Sequence, residues 1–267
     1  MALSLFDQRA LLFLPASNPR AIAKARSSDA DLVILDLQDA VKREDKASAR
    51  AAAVAAIAQD WPMPIAIRIN GVGAAEHDAD LAALASANCD LIVLPAVRSV
   101  EEVKGIKLGI PLAVMIETAA AVIDAPAIAQ HCNALILGTN DLAADLRIPA
   151  NGSARGAMGY ALQAAILAAR AAGIAVFDGV YNAIDDAAGF AAEAAESRAL
   201  GFDGKTLIHP AQIALCHAAY APSADELARA KRLVAAATGG AERFEGAMIE
   251  AMHVDAARRM IGRVADH

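Results

Sequence analysis

Two carboxylates stand where apolar runs stop in the middle of the chain: Glu117 near the end of LAVMIET, and Asp141 just after ALILGTN. About one helix's worth of alanine-rich sequence separates the two runs. A buried strand, a helix and a second buried strand make a βαβ unit, which brings both acids to the C-terminal ends of neighbouring strands. Parallel α/β folds bind their ligands at that edge. Two carboxylates side by side there form an oxygen-rich seat for a hard cation such as Mg²⁺. The competing reading is a pair of caps, since acidic residues also favour the first turns of helices.

Other reactive side chains gather at similar places. Arg68, in PIAIRIN, carries a planar fork that grips a carboxylate through two hydrogen bonds, whether a structural partner or an anionic substrate. Asp36 and Asp39, in DLQDAV, can orient Arg68 or metal-bound water from behind, and Asp39 can equally cap the next helix. In FLPASNPRAIAKA, Ser17 or Asn18 is placed to cap a helix that Pro19 opens. Arg20 and Lys24 then lie one turn apart on that helix, either as a phosphate clamp or as plain surface charge. His209, before Pro210, is a general base or a hydrogen-bonded structural residue, and a carboxylate-held Mg²⁺ does not call for it as a ligand.

The elements that must carry these groups repeat along the chain. Strand-like runs fall at 11–15, 31–37, 64–70, 90–97, 112–118, 134–140, 174–180 and 205–210, with alanine-rich helical sequence between them. The runs are continuously apolar, as expected when both faces of a strand are covered. A length of 267 residues is close to the ~250 of a (β/α)₈ barrel. The alternative, an open doubly wound sheet, lacks a GxGxxG after its first strand. Asp36, Asp39, Arg68, Asn70, Glu117, Asp141, Asp178 and His209 all sit at or beyond strand ends, so a barrel would converge them on one face.

The expected organisation is a (β/α)₈ TIM barrel over 1–220 and a C-terminal helical extension over 221–267. Ser223, with Glu226 three residues on, starts a helix in the extension, and Thr238-Gly-Gly ends it. An amphipathic helical segment is expected from about Glu245 to Val264. This tail would cover the barrel mouth, pack on a neighbouring subunit, or plug the barrel's side.

Bulk properties narrow the function. A net charge of −7 argues against nucleic acid and anionic membrane as partners. No apolar run reaches the roughly 18 residues of a spanning helix, and the start lacks the regions of a signal peptide. Cys89, Cys132 and Cys216 have no CxxC spacing, which fits buried thiols in a cytoplasmic protein.

In order along the chain, RALLFLPASNPRAIAKA, DLVILDLQDAVKREDKASAR, IAIRIN, MIETAAAV, LILGTNDLAADL and GFDGKTLIHPAQI resemble the citrate lyase beta-subunit family. This is the CoA-ester branch of the HpcH/HpaI aldolase superfamily. The resemblance runs from Arg9 to about Pro222, with a fainter echo at GAMIEAMHVDAARRM. It implies a (β/α)₈ barrel, a homo-oligomer (trimer or hexamer) and a C-terminal extension near the active site. It also implies Glu117 and Asp141 as Mg²⁺ ligands and Arg68 as the group that binds the keto-acid portion. Phe13, Arg20 and Lys24 match positions that contact CoA in some members. The family cleaves 3-hydroxyacyl thioesters of CoA or an acyl carrier, such as citryl, malyl and citramalyl, into a keto acid and a shorter thioester.

Two positions depart from the family pattern. Gln38 replaces the usual glutamate of DLEDAV, and Glu250 replaces the aspartate of MID that acts in acid/base work from a lid. The expected chemistry is a Mg²⁺-assisted retro-Claisen cleavage in which Arg68 holds the keto-acid half and Glu250 protonates the departing enolate. The rivals are aldol cleavage of free 2-keto-hydroxy acids, thioester hydrolysis, and a catalytically weak ligand-binding paralogue to which Gln38 would point.

Overall fold

The computed structural model describes residues 3–149 and 154–265. Eight parallel strands close into a barrel in chain order. They are β1 (Ala10–Pro15), β2 (Leu32–Asp36), β3 (Ile65–Arg68), β4 (Leu91–Leu94), β5 (Leu112–Ile116), β6 (Ala134–Leu137), β7 (Ala175–Asp178) and β8 (Gly204–Leu207). Closure is made by β8 on β1, with Ala10 opposite Lys205. The helices between them are α1 (Pro19–Ala25), α2 (Lys46–Ile57), α3 (His77–Leu84), α4 (Val100–Gly105) and α5 (Ala119–Ala129). They continue with α6 (Thr139–Asp145), α7 (Ala154–Ala157), α8 (Gly159–Ala172), α9 (Ala187–Leu200) and α10 (Gln212–Tyr220). This is a (β/α)₈ TIM barrel, and each of the eight runs read from sequence overlaps one of its strands, β1 and β8 starting one residue earlier than read.

Each strand is buried on both faces, which explains its unbroken apolar sequence. Inward, Leu11, Ile34, Val93, Ile136 and Phe177 fill the barrel as a packed core. Outward, Val33, Leu35 and Ile67 meet alanines of the helices, among them Ala49, Ala53, Ala121 and Ala165. Burying a side chain such as Leu35 or Phe177 stabilises the fold by about 1.5–3 kcal/mol relative to exposure. The methyl-sized helical residues let the outer ring sit close to the sheet.

Side chains alternate between faces along a strand. Residues that follow the inward core members at the strand ends therefore point into the mouth: Asp36, Arg68, Glu117, Gly138, Gly179 and Thr206. The opposite parity carries Asp178 and Lys205 outward. There Lys205, fully buried, ion-pairs with Asp178 at 2.8 Å and with Glu193 of α9 at 2.7 Å. Asn70 is likewise turned into the layer behind the barrel, where its amide donates to Asp80 and accepts from Lys46. The expected convergence of all the strand-end polar residues on one face thus fails for Asp178, which sits one residue out of phase with the inward set, and for Asn70, which lies beyond the end of β3 where the alternation stops.

Residues 221–267 form a second compact unit. Ser223 and Glu226 make a reciprocal capping box at the start of α11 (Ala224–Ala236), as their spacing predicts. The continuous helix expected from Glu245 is not formed. A hairpin of β9 (Glu242–Phe244) and β10 (Ala247–Ile249) comes first, and α12 spans Ala251–Ala265. Glu245 and Gly246 both adopt positive φ, 47° and 86°, the geometry of a two-residue turn that matches strand twist. Glutamate is an unusual residue in that conformation, so the turn carried no sequence signal. Leu233, Ile249, Val254 and Ala257 close the unit's small core.

Candidate active site

A cavity of about 410 Å³ opens at the C-terminal mouth of the barrel. Arg68 and Asp36 lie directly opposite each other on adjacent strands. Arg68 Nε and Nη2 each donate to the Asp36 carboxylate at 2.7 Å, a bidentate pair. Asp36 itself is anchored by accepting from the Gln38 and Ala40 amides. Phe13 of β1 stacks under the guanidinium, with the Arg68 carbon 4.9 Å from the ring centre. Three sides of the arginine are thereby committed. Its Nη1 faces the cavity, 3.8 Å from both the Met115 sulfur and an Asp39 oxygen. Burial disfavours the charged guanidinium, but Asp36 outweighs that effect and raises its pKa above the ordinary value.

The second cluster forms around Glu117, which is 3% exposed. Its Oε1 accepts from the Ala96 amide, while Oε2 is buried without a hydrogen-bond partner. Ala96 holds the left-handed conformation at φ 54°, a costly state for a residue with a Cβ, and its amide donates to Glu117. Gly138, at the end of β6, supplies the space for the carboxylate. A Cβ there would overlap Glu117 Cβ and Oε2 and lie 3.2 Å from Cδ. Burial, with the Asp141 charge adding to it, pushes the Glu117 carboxyl up to about 7 against the pull of the Ala96 amide. Burial also raises the Asp39 carboxyl, where Asp141 and Asp36 add to it and Arg68 opposes it.

These features fit a divalent cation. A buried, unpartnered carboxylate oxygen is costly unless a proton or a cation meets it. Among the described residues, no group of three or more His, Cys, Asp and Glu side chains is gathered closely enough to enclose a metal ion. Two carboxylates leaving room for water and substrate oxygens is the donor set Mg²⁺ favours.

The facing wall is uncharged. Asn140 and Asn182 exchange amide hydrogen bonds at 3.2 and 2.7 Å, tying the first turn of α6 to the loop after β7. Thr206 donates its hydroxyl to the Asp178 carbonyl oxygen at 2.9 Å. Val180, Ile208 and Leu137 complete that side. Gly179 is required by close packing, since a Cβ there would sit 2.5 Å from Thr139 Oγ1 and 2.8 Å from the Leu137 carbonyl oxygen.

The residues singled out by sequence do not all meet in one place. Asp36, Asp39, Arg68, Glu117, Asp141 and Phe13 gather at the mouth, with Phe13 lying against Arg68. Asn18, not Ser17, caps α1, accepting from the Ala21 amide. Arg20 and Lys24 are exposed on α1, and Lys24 borders a separate cavity of about 540 Å³ toward α10. Exposed His209 accepts from the Ala211 amide at the end of β8. Glu250 precedes α12 in the second unit, where its backbone N–H donates to His253. The Gln38 carbonyl accepts from Lys46, and its side-chain oxygen is buried and unpartnered. Cys89 and Cys216 are buried, Cys132 is half-buried, and all three are free thiols that burial raises to about 11 or 12. Ala96, Met115, Gly138, Gly179 and Asn182 were not anticipated. Of these, Gly138 had a readable signal, as a glycine ending an apolar run.

The model of the HpcH/HpaI aldolase/citrate lyase family matches residues 9–210. A (3S)-malyl-CoA thioesterase of Cereibacter sphaeroides is 38% identical, over 96% of this chain and 94% of the relative. A citrate lyase subunit beta-like protein of Mycobacterium tuberculosis is 35% identical, over 96% and 95%. The crystal structure of M. tuberculosis CitE in complex with magnesium, acetoacetate and coenzyme A superposes with a TM-score of 0.88 at 34% identity, covering 98% of this chain and all of that one.

Proposed function

The chain belongs to the HpcH/HpaI aldolase/citrate lyase family, and we propose that it is a Mg²⁺-dependent lyase cleaving a 3-hydroxyacyl-CoA thioester into a 2-keto acid and a shorter acyl-CoA. The observation that carries this reading is the pairing, at one rim, of a cation seat with a preorganised arginine. Glu117 and Asp141 would hold the metal, which when bound supplies Lewis-acid polarisation of the substrate's carboxylate and hydroxyl oxygens.

Arg68 orients the keto-acid carboxylate through the Nη1 edge that Asp36 leaves free, and it offsets charge that grows on the same oxygens during cleavage. Asp39, with its carboxyl raised and its oxygen 3.8 Å from Arg68, is the group placed to take the hydroxyl proton. The carbon–carbon bond then breaks, its electron pair leaving as the thioester enolate while the hydroxyl carbon becomes a carbonyl. Glu250 is the proposed donor of the proton that quenches the enolate. Arg20 and Lys24 are proposed to meet the CoA portion, and the working form is proposed to be a cytoplasmic homo-oligomer.

The test is a Mg²⁺-dependent cleavage screen of malyl-, citramalyl- and citryl-CoA, with keto acid and acyl-CoA both measured. Arg68→Ala should keep the fold and lose turnover by on the order of 100-fold or more; unchanged turnover removes the mechanism. The 38% identity to a malyl-CoA thioesterase favours hydrolysis as a second reading. It predicts free 3-hydroxy acid and CoA thiol in place of keto acid and acyl-CoA, so the same assay separates the two.

A further inference from the structure

We propose that the site selects substrates whose keto-acid half bears a single carboxylate, releasing a 2-oxo monocarboxylate rather than a dicarboxylate. The inference rests on the lyase reading above and deepens it. Among the described residues lining the mouth cavity, Arg68 is the only cation, against the carboxylates of Asp36, Asp39 and Asp141. Asp36 already occupies two of its nitrogens, so one guanidinium edge remains, enough for one carboxylate.

The cations nearby are committed elsewhere. Lys46 donates to the carbonyl oxygens of Leu37 and Gln38 and to Asn70. Lys205 and Arg155 are bound to Asp178 behind the barrel. A second substrate carboxylate would therefore face either Asp39 and Asp141 or the uncharged wall. On that wall the Asn140–Asn182 pair spends part of its hydrogen bonding on itself, Thr206 donates to the backbone carbonyl of Asp178, and the Val180 and Ile208 side chains offer nothing polar. Leaving a carboxylate unpaired there costs far more than seating a hydrogen or a methyl group. At about 410 Å³ the cavity is roomy enough for either product, so charge and not size does the sorting.

The experiment compares kcat/KM for malyl-, citramalyl- and citryl-CoA with Mg²⁺, and the binding of pyruvate and freshly prepared oxaloacetate by calorimetry. Malyl or citramalyl thioester should exceed citryl by on the order of 100-fold, and pyruvate should bind at least about tenfold tighter than oxaloacetate. Asn182→Arg, which adds a cation to the neutral wall, should narrow both ratios. Equal or preferred use of citryl-CoA, or tighter oxaloacetate binding, overturns the proposal while leaving the lyase reading intact. If no thioester is cleaved, that reading falls, and the two binding constants still decide the selectivity.

Discussion

Gly138→Ala tests the cation seat without touching a charged residue. The added Cβ would overlap both Cβ and Oε2 of Glu117. The Oε2 contact could be relieved by rotating the Glu117 side chain, but the Cβ contact could not, because Cβ is fixed by the β5 backbone. Bringing two carbons back to the ~3.5 Å of ordinary contact requires β5 and β6 to part by about 1 Å at this end. Glu117 would then lose its place beside the Ala96 amide, and its oxygens would move by a similar distance. A misplacement of that size costs on the order of 100-fold in rate, and disturbed support of a metal ligand costs roughly 10- to 100-fold in affinity. The measurements are Mg²⁺ affinity by calorimetry and kcat/KM on the cleaved thioester, beside a thermal melt. A folded variant with Mg²⁺ affinity and turnover both within about threefold of the parent would refute the seat. Gly173→Ala, at the end of α8 where an added Cβ meets nothing, controls for glycine loss alone, though its φ of 70° makes it mildly destabilising.

Two further outcomes follow from groups outside the site. Lys205→Met leaves Asp178, which is fully buried, with Arg155 at 3.1 Å as its remaining ion-pair partner and leaves Glu193 only the same arginine at 4.0 Å; the variant should lose about 3–5 kcal/mol in chemical denaturation, and a loss under about 1 kcal/mol would contradict the assignment. His217 bonds to Asp31 at 3.1 Å, and this hydrogen bond, against burial, raises the histidine pKa. Burial raises the Asp31 carboxyl, yet the His217 bond and the Ala10 and Arg9 amides outweigh it and hold it low. The histidine's contribution is therefore fully present below its unfolded value of about 6.5 and is lost as pH rises through its folded value, whereas the aspartate's is lost as pH falls through its own depressed one. The stability gap between the parent and His217→Gln should be widest near pH 6 and shrink in alkali; a gap independent of pH would show that the pair is not charged.

The barrel was legible because its strands are buried on both faces, so continuous apolar runs could mean little else at eightfold repetition. Glu117 could be singled out because it directly follows a buried apolar run, and Asp141 because it stands in the first turn of the helix after the next one. Asp178 shows the limit of that logic: it also ends an apolar run, yet one residue of phase turns it outward to Lys205. Phase is set by which side chains fill the barrel, and uniformly apolar strands conceal it. Residues that act by absence were hidden too. Gly138 and Gly179 matter for the space they leave, and only the neighbouring strand reveals what fills it. The hairpin at 242–249 was missed because its turn uses glutamate where asparagine or aspartate would have announced it.

The charge pattern of the mouth carries the strongest argument for a cation. Four carboxylates, of Asp36, Asp39, Glu117 and Asp141, surround a single guanidinium, and Asp36 takes most of that arginine's hydrogen bonding. Bidentate pairing with Asp36 fixes Arg68 in place but cannot also neutralise Glu117, whose inner oxygen faces Gly138 with no donor. Left so, burial and the neighbouring Asp141 charge push the Glu117 carboxyl up to about 7. A purely structural carboxylate would have acquired partners for both of its oxygens, whereas Glu117 has the Ala96 amide on one alone. A carboxylate kept buried, with one oxygen unpaired and a second acid nearby, suits the metal-holding role proposed for Glu117, and Arg68 keeps a spare edge on the same cavity.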